Sequence, residues 1–267
     1  MQLHARRALV TGASGGIGAA IARELRGRGA QLTLSARREQ ALRALADELG
    51  AAAVTADLCD AESVRRLAGE ASSVDVLVLN AGVDAADDLV DLTAQEIERA
   101  FEVNLVVPAL LSAAVAGEMR KRGRGHIVFI SSMAGKMATS GNGVIYAATK
   151  WGLRGLALSL REELRATGVG VSAVFPGPIR NAGMFADTNV EPPASVKTNS
   201  AEEVGAAVAR AIERDLAEVD VAAPLMRLGG ALGPLAPALV AALARRQGAG
   251  EVRRQMAAVR RSAREQA

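Results

Sequence analysis

The sequence predicts a doubly wound α/β fold, a mostly parallel sheet of seven strands with helices on both faces. Short apolar or β-branched segments alternate with longer amphipathic segments over residues 1–223. The short segments are almost continuously apolar, which is typical of parallel strands covered on both faces. No solenoid-like repeat and no linker divides the chain. We therefore expect one domain over residues 1–223 and a C-terminal extension over residues 224–267.

The apolar segments predict where the elements lie. Seven buried strands are expected at residues 8–12, 31–36, 52–57, 74–80, 126–132, 170–177 and 218–223. Helical patterns lie between them, at residues 16–28, 38–49, 61–71, 94–122, 145–167 and 201–216. A doubly wound sheet binds its ligand at the carboxyl ends of the strands, so we expect the functional residues at that edge.

The composition excludes several classes of function. Half of the residues are hydrophobic but only 2% are aromatic, so the core must be built from Ala, Val, Leu and Ile. The single Cys59 forms no internal disulfide, and His4 and His126 lie far apart in sequence, so no metal site is predicted. A net charge of +3 is too small to indicate a nucleic acid partner. With no apolar secretory signal at the N-terminus, we expect a cytoplasmic protein.

The C-terminal extension is first apolar and then basic. Arg227, two prolines and several glycines interrupt the apolar residues 224–246, which predicts a surface lid or an interfacial helix and no membrane span. From residue 224 onward there are eight arginines and two glutamates, a local charge of +6. Such a segment is compatible with a solvated helix, with peripheral contact to an anionic membrane, or with a subunit contact.

A glycine-rich turn follows the first predicted strand. Gly12, Gly16 and Gly18 stand between that strand and the next helix, where a side chain would keep a pyrophosphate away from the backbone. The N–H groups of the helix that begins at Gly16 can then face the phosphates, and the Ser14 hydroxyl can add a donor. An ordinary strand-to-helix turn is the alternative, but the position after the first strand of a β–α pattern favours a Rossmann-type nucleotide site.

Two arginines, Arg37 and Arg38, follow the second predicted strand, with no acid before Glu39. NAD binders commonly carry an acid here to accept hydrogen bonds from the adenosine ribose. Guanidinium groups instead suit a 2′-phosphate, through bidentate charge-assisted hydrogen bonds. The alternative is a pair of solvated arginines at a helix start. The sequence therefore favours NADP(H) over NAD(H).

The only tyrosine of the chain, Tyr146, is followed four positions later by Lys150, one of four lysines. On a helix the two side chains lie on one face and can point into one cleft. A nearby ammonium stabilises a phenolate, which brings the phenol closer to exchanging a proton with a carbonyl or alcohol oxygen. The same spacing occurs by chance on many helix surfaces, but the preceding glycine turn favours catalysis.

Six motifs together resemble the short-chain dehydrogenase/reductase family, in its classical branch, over about residues 5 to 223. They are TGASGGIG (11–18), NAG (80–82), FEVN ending at Asn104, ISSMAG (130–135), YAATK (146–150) and PGPI (176–179). The resemblance implies that Tyr146 is the general acid or base, and that Lys150 lowers its pKa and binds the nicotinamide ribose. It implies that Ser132 bonds the substrate oxygen and that Asn104 holds a water of the proton relay. A polar helix residue at Asn104 and a strand-end cap at Ser132 are the alternatives.

The resemblance also implies the contacts of the dinucleotide. Asp57 and Leu58 would lie near the adenine, and Asn80, Ala81 and Gly82 beside the adenosine ribose. The remaining implied contacts are in the glycine turn and at the nicotinamide: Gly12, Ser14, Gly16, Ile17, Gly18, Pro176, Gly177 and Ile179.

The chain departs from the family pattern at two places. Ser132 and Tyr146 are fourteen positions apart, one more than the family pattern, and the extra residue falls in the glycine-rich segment 139–143. Asn181 stands where the family often has a threonine that bonds the nicotinamide carboxamide, and an amide can also donate and accept.

A predicted lid over residues 178–200 bounds the substrate pocket. Its apolar lining is expected from Met133, Met137, Val144, Met184 and Phe185, although each methionine could instead fill the core. We expect a carbonyl compound or secondary alcohol that is small and apolar, for which a lipid-like or steroid-like compound is one option.

Three classes of function remain open: an NADP(H)-dependent carbonyl reductase or alcohol dehydrogenase, an idle NADP(H)-binding sensor, and a related epimerase, dehydratase or isomerase. The presence of Asn104, Ser132, Tyr146 and Lys150 together favours the first. The predicted helices 94–122 and 145–167 resemble the family's subunit surfaces, so we expect a homodimer or homotetramer.

Overall fold

The computed structural model of the chain describes residues 1–85, 87–138, 143–180, 182 and 197–246, without the side chains of residues 244–246. Calls on Asn181, Met184 and Phe185, on residues 139–142 and on the tail from residue 247 therefore lie outside the described residues.

Seven parallel strands form one sheet in the order β3-β2-β1-β4-β5-β6-β7. This confirms the predicted doubly wound fold, since β1 lies centrally and the chain winds outward from it in both directions. The strands are β1 (Arg7–Thr11), β2 (Gln31–Ala36), β3 (Ala52–Thr55), β4 (Val76–Leu79), β5 (Gly125–Ile130), β6 (Val169–Pro176) and β7 (Glu218–Val221).

The helices alternate with these strands close to the predicted boundaries. They are α1 (Gly16–Gly27), α2 (Glu39–Leu49), α3 (Ala61–Ala71), α4 (Ala94–Phe101), α5 (Val107–Arg122), α6 (Val144–Glu163), α7 (Ala201–Arg214), α8 (Pro224–Leu232) and α9 (Pro237–Arg246). Short 3-10 turns occur at Leu89–Asp91 and Met133–Gly135. The side chain of Thr93 and that of Glu96 form a capping box, which is why α4 begins at Ala94.

The two faces of the sheet are covered by different helices. Successive side chains of a strand point to opposite faces, so Val10 packs in the core layer of α1, α2 and α7, whereas Leu9 packs in the layer of α3, α5 and α6. The aromatic side chains Phe129 and Phe175 are fully buried in the second layer. The rest of the core is aliphatic, as the composition predicts.

The prediction of seven buried strands is wrong for β3. Ala52, Ala53 and Thr55 are exposed, because β3 is the edge strand next to β2 and is incompletely covered. Strand order in a sheet depends on long-range pairing, so the local apolar pattern does not distinguish an edge strand from a central one.

The predicted continuous helix over residues 94–122 contains an irregular turn. A π-helical turn, Glu102–Val106, joins α4 to α5. By length and composition, Ala94–Arg122 is the one helix among the described residues that could cross a membrane. Its side chains Leu111, Val115 and Met119 are fully buried in the layer against the sheet, which is the position of a core helix.

Candidate active site

The polar residues singled out in the sequence converge at the carboxyl edge of the sheet. The strands β1, β4, β5 and β6 are neighbours and parallel, so the segments that follow them meet at this edge. Helix α6 enters the same region, where Lys150 Nζ donates to the carbonyl oxygen of Ile130, the last residue of β5, over 3.0 Å. A Cβ placed on Gly82 would lie 3.2 Å from Asn104 Oδ1 and 3.7 Å from Lys150 Nζ.

The turn after β1 has no room for side chains at two of its glycines. Gly12 has a φ of +66°, and a Cβ there would lie 2.8 Å from the Cα of Ala81. A Cβ on Gly18 would overlap the carbonyl oxygen of Gly12. No side chain caps α1, which begins at the exposed Gly16, so its first N–H groups face outward. A dinucleotide phosphate fits this helix terminus.

Asn80 and Thr11 hold this turn to the end of β4. The amide Nδ2 of Asn80 donates to the carbonyl oxygens of Thr11 and Gly12, over 3.0 and 3.2 Å. The hydroxyl of Thr11 accepts from the backbone N–H groups of Asn80 and Ala81, over 3.0 and 3.1 Å. The Asn80 side chain therefore braces the glycine turn, and the half-buried Ala81 lies against it.

Arg38 lies next to the glycine turn, and its Nη2 donates to the carbonyl oxygen of Ser14 over 2.7 Å. Arg37 and Arg38 are both exposed at the carboxyl end of β2. The described residues form no ion pair with either guanidinium group. The arrangement can therefore receive an anionic group beside Ser14.

The other predicted cofactor contacts differ in their exposure. Asp57 is exposed after β3 and accepts from the backbone N–H of Cys59 over 2.9 Å, whereas Leu58 is buried in the core. Ile17 is half-buried and packs against the first core layer. Leu58 therefore serves the core with its side chain, and only its backbone can face a ligand.

Asn104 is buried in the π-helical turn, and its side chain is fully engaged with a neighbouring loop. Its Oδ1 accepts from the N–H of Val83 over 2.8 Å, and its Nδ2 donates to the carbonyl oxygen of Val83 over 2.9 Å. Nδ2 also lies 3.2 Å from the hydroxyl of Thr149, which in turn donates to the carbonyl oxygen of Tyr146. Asn104 thereby ties the loop after β4 to helix α6. Turns of this π type are frequent at functional sites.

Lys150 is a buried cation beside the only tyrosine. Its ammonium lies 5.6 Å from the centre of the Tyr146 ring. Burial lowers the pKa of Lys150 from 10.5 to about 8, because removal from water disfavours the charged form. In the described part of the chain no carboxylate forms an ion pair with this ammonium. The ammonium of Lys150 is therefore placed to act on the half-buried Tyr146.

Ser132 and Ser131 order the segment that follows β5. The Oγ of Ser132 accepts from the N–H of Ala134 over 3.1 Å and caps the turn Met133–Gly135. The hydroxyl of Ser131 donates to the carbonyl oxygen of Lys150 over 3.1 Å. The strand-end cap considered for Ser132 is thus present, and it leaves the Ser132 O–H available as a donor.

The predicted substrate residues that the structure describes differ in their exposure and do not line one common surface. Met133 is buried, and a Cβ on Gly230 of α8 would overlap its methyl group. Met137 lies against Gly229 of the same helix, while Val144 is half exposed. Met133 therefore packs in the core beneath α8, which agrees with the alternative that a methionine fills the core and does not line the pocket.

The segment after β6 connects the site to the C-terminal extension. Pro176 ends β6, and the N–H of Gly177 donates to the carbonyl oxygen of Val221 over 2.9 Å. A Cβ on Gly177 would lie 3.1 Å from the sulfur of Met226 in α8. Ile179 is buried and forms an isolated bridge with Asn199.

A family model described as short chain dehydrogenase matches residues 6–192 of the chain. The chain belongs to the short-chain dehydrogenase family. Its overall sheet order and the six motifs agree with that assignment, which confirms the resemblance seen in the sequence.

Two relatives and a solved structure illustrate how close the similarity is. An uncharacterized oxidoreductase of Myxococcus xanthus is 36% identical over 223 residues, which cover 80% of this chain and 86% of the relative. The ketoacyl reductase HetN of a Nostoc species is 32% identical over 252 residues, 89% of this chain and 88% of HetN. A short-chain dehydrogenase from Sphingobium yanoikuyae in complex with NADPH superposes with a TM-score of 0.76 at 31% identity, covering 86% of this chain and 94% of that one.

Sequence reasoning missed three residues that shape the site of this short-chain dehydrogenase. Thr11 carries a buried hydroxyl at the end of an otherwise apolar strand. A polar residue at such a position needs hydrogen-bond partners, so the sequence could have indicated its role. Lys136 is buried and lies 2.8 Å from Asp220 and 3.0 Å from Glu218, with its ammonium 4.3 Å from the centre of the Phe175 ring. Met226 had no signal in the sequence, because only packing brings α8 to Gly177.

Proposed function

We propose that this short-chain dehydrogenase is an NADP(H)-dependent oxidoreductase that interconverts a carbonyl group and a secondary alcohol. The observation that carries the proposal is the buried ammonium of Lys150. It lies 5.6 Å from the centre of the Tyr146 ring and beside Gly82, at the carboxyl edge of the sheet. A sensor needs the glycine turn, whereas a buried cation next to a phenol is suited to proton transfer.

The residues around the glycine turn would hold the dinucleotide. The N–H groups at the start of α1 would face its pyrophosphate, next to the backbone of Gly12 and Ser14. Arg37 and Arg38 would receive the 2′-phosphate that distinguishes NADP(H) from NAD(H). The NADPH named in the Sphingobium complex supports this preference. When bound, the cofactor supplies or accepts the hydride.

Tyr146 would donate a proton to the carbonyl oxygen in reduction and remove it from the alcohol in oxidation. Because the pKa of Lys150 is about 8, most of this side chain stays charged at neutral pH and stabilises the phenolate. The Ser132 hydroxyl already accepts from Ala134, so its hydrogen can point to the substrate oxygen and stabilise the charge that develops there. Lys150 would also bind the nicotinamide ribose hydroxyls.

Asn104 would contribute to the proton supply through its backbone. Its side-chain amide is engaged with Val83 and Thr149, so a relay water would bind the main-chain carbonyl of the π-helical turn. In this proposal the Asn104 side chain positions the loop after β4, and its backbone orders the water.

The substrate would be a small, apolar carbonyl compound or secondary alcohol. Two observations support an aliphatic ketone as the first class to test. The adaptable side chains of Met137 and Met226 lie near the candidate site, and the relative HetN is named a ketoacyl reductase. We also propose a homodimer or homotetramer, because Leu110 on α5 and Trp151 and Leu158 on α6 expose apolar surface on one side of the domain. We propose the cytoplasm as the location.

A screen of aldehydes, ketones and alcohols that follows NADPH absorbance tests this function. We expect turnover with at least one apolar ketone, and its loss in Tyr146→Phe with nearly unchanged NADPH affinity, because the phenyl ring keeps the packing. The matched control is Thr167→Val, which removes a hydroxyl just before the start of β6, at the edge of the sheet opposite the candidate site. NADPH binding without any turnover would favour a sensor, and product formed without net NADPH consumption would favour an epimerase. Wild-type turnover in Tyr146→Phe would refute the role of Tyr146.

A further inference from the structure

The helices α8 and α9 of the C-terminal extension turn their leucines away from the domain. The inner face of α8 is made of small residues: Gly229, Gly230 and Gly233 approach Met137, Met133 and Lys136 closely. The outward leucines, which we call the leucine face, are exposed by 41 to 81%. Five belong to α8 and α9 and Leu235 lies in the turn between the two helices: Leu225, Leu228, Leu232, Leu235, Leu239 and Leu243. A helix that only covered the domain would show the reverse pattern.

The leucine face lies within one segment, residues 225–243, and its side chains are exposed and not part of the core. Val240 is the buried large hydrophobic side chain of α9, and Met226 supplies the contact of α8 with Gly177. A run of exposed leucines on one segment, in contrast to single exposed leucines, marks an interaction surface. The family match ends at residue 192, so this surface lies outside the part of the chain that the family model describes.

The charge of the segment indicates what the leucine face contacts. Between Asp220 and Glu251 the sequence contains no acid, while Arg227, Arg245 and Arg246 lie in or next to the helices. Residues 247–267 add five arginines and two glutamates. A symmetric contact with a second copy would bring these like charges together without acids of the same segment to pair them. An anionic lipid surface offers both the apolar layer and the opposite charge.

We propose that α8 and α9 dock this protein on an anionic phospholipid bilayer, with the leucine face in the acyl boundary and the arginines at the headgroups. The proposed docking is peripheral, because α8 and the described part of α9 have nine and ten residues, fewer than the roughly 20 that a membrane span needs. Since the inner face of α8 contacts the Met133–Gly135 turn, the bilayer surface would lie about one helix diameter, ~10 Å, from that turn.

Co-sedimentation of the full chain with vesicles tests the docking without any use of activity. We expect binding to vesicles of phosphatidylcholine mixed with phosphatidylglycerol that is at least about tenfold tighter than binding to phosphatidylcholine alone, and that weakens as salt is added. The double variant Leu235→Ser, Leu239→Ser should lose this binding. Its matched control is Leu89→Ser, Val90→Ser, which removes a similar exposed apolar area elsewhere and should bind as the wild type does.

A second variant separates charge from apolar contact. Arg227→Gln with Arg245→Gln and Arg246→Gln should weaken binding to anionic vesicles about tenfold or more and leave the oligomeric state unchanged. Equal binding to both vesicle types, or no binding, would overturn the proposal. If instead Leu235→Ser, Leu239→Ser lowered the mass of the particle in solution without any vesicle binding by the wild type, the leucine face would be a subunit contact.

Discussion

Replacement of Lys150 by methionine should make the cofactor-free protein more stable while it abolishes turnover. Burial lowers the pKa of Lys150 from 10.5 to about 8, and at roughly 1.4 kcal/mol per pKa unit the charged form costs about 3 kcal/mol at neutral pH. Methionine has a stem of similar length and no charge. The substitution also removes the hydrogen bond to the carbonyl oxygen of Ile130, which reduces the gain in stability by about 1 kcal/mol. We therefore expect a net gain of about 2 kcal/mol in the free energy of unfolding.

The pH dependence identifies the buried ammonium as the cause. The folded pKa lies below the unfolded one, so between about pH 8 and 10.5 the unfolded chain binds more protons and the stability of the wild type rises with pH. Below about pH 8 both states are charged, so the cost of the buried charge is present in full and does not change with pH. The advantage of Lys150→Met should therefore be largest near neutral pH and shrink steadily as the pH rises towards 10.

Urea unfolding of both proteins, followed by circular dichroism over this pH range, measures the effect. The difference between the two proteins cancels the titration of the other groups, which are few because the chain has four lysines and one tyrosine. Lys121→Met is the matched control, since Lys121 is a surface residue with 73% of its side chain exposed. A less stable Lys150→Met at neutral pH, or a difference that does not change with pH, would refute the reasoning.

Three further outcomes follow from the contacts of the site. Gly18→Ala should lower the free energy of unfolding by at least about 2 kcal/mol and weaken NADPH binding, because the added Cβ overlaps the backbone. Gly15→Ala should lower it by no more than about 1 kcal/mol. Urea unfolding and NADPH titration compare the two variants. Arg38→Ala should raise KM for NADPH about tenfold and leave KM for NADH unchanged, and an equal change for both would contradict the 2′-phosphate assignment. Lys136→Met should lower the free energy of unfolding by about 3 kcal/mol, because it leaves the carboxylate of Asp220 without its ion-pair partner. Adding Asp220→Asn should recover part of that loss. If the two substitutions lowered the stability additively in thermal unfolding, the pair would not be coupled.

The sequence by itself determined the succession of elements and nominated the residues of the candidate site. Helix α3 begins and ends at the predicted residues, because its cap Asp60 and its apolar spacing are local signals. The glycine turn and the Tyr146–Lys150 spacing were also visible, since each depends on neighbours within a few positions. These features suffice to predict a nucleotide fold and a proton-transferring pair.

Only the tertiary structure decided how those residues are held and which surfaces remain exposed. The bonds of Asn80 to Thr11 and of Asn104 to Val83 join segments that lie 69 and 21 positions apart, so no local pattern contains them. The burial that lowers the pKa of Lys150 and the exposure of β3 likewise depend on which elements pack together. The tertiary structure also decided that the leucines of α8 and α9 are exposed, because it places the glycines of α8 against the domain. Burial is a property of the packed chain and not of its local sequence.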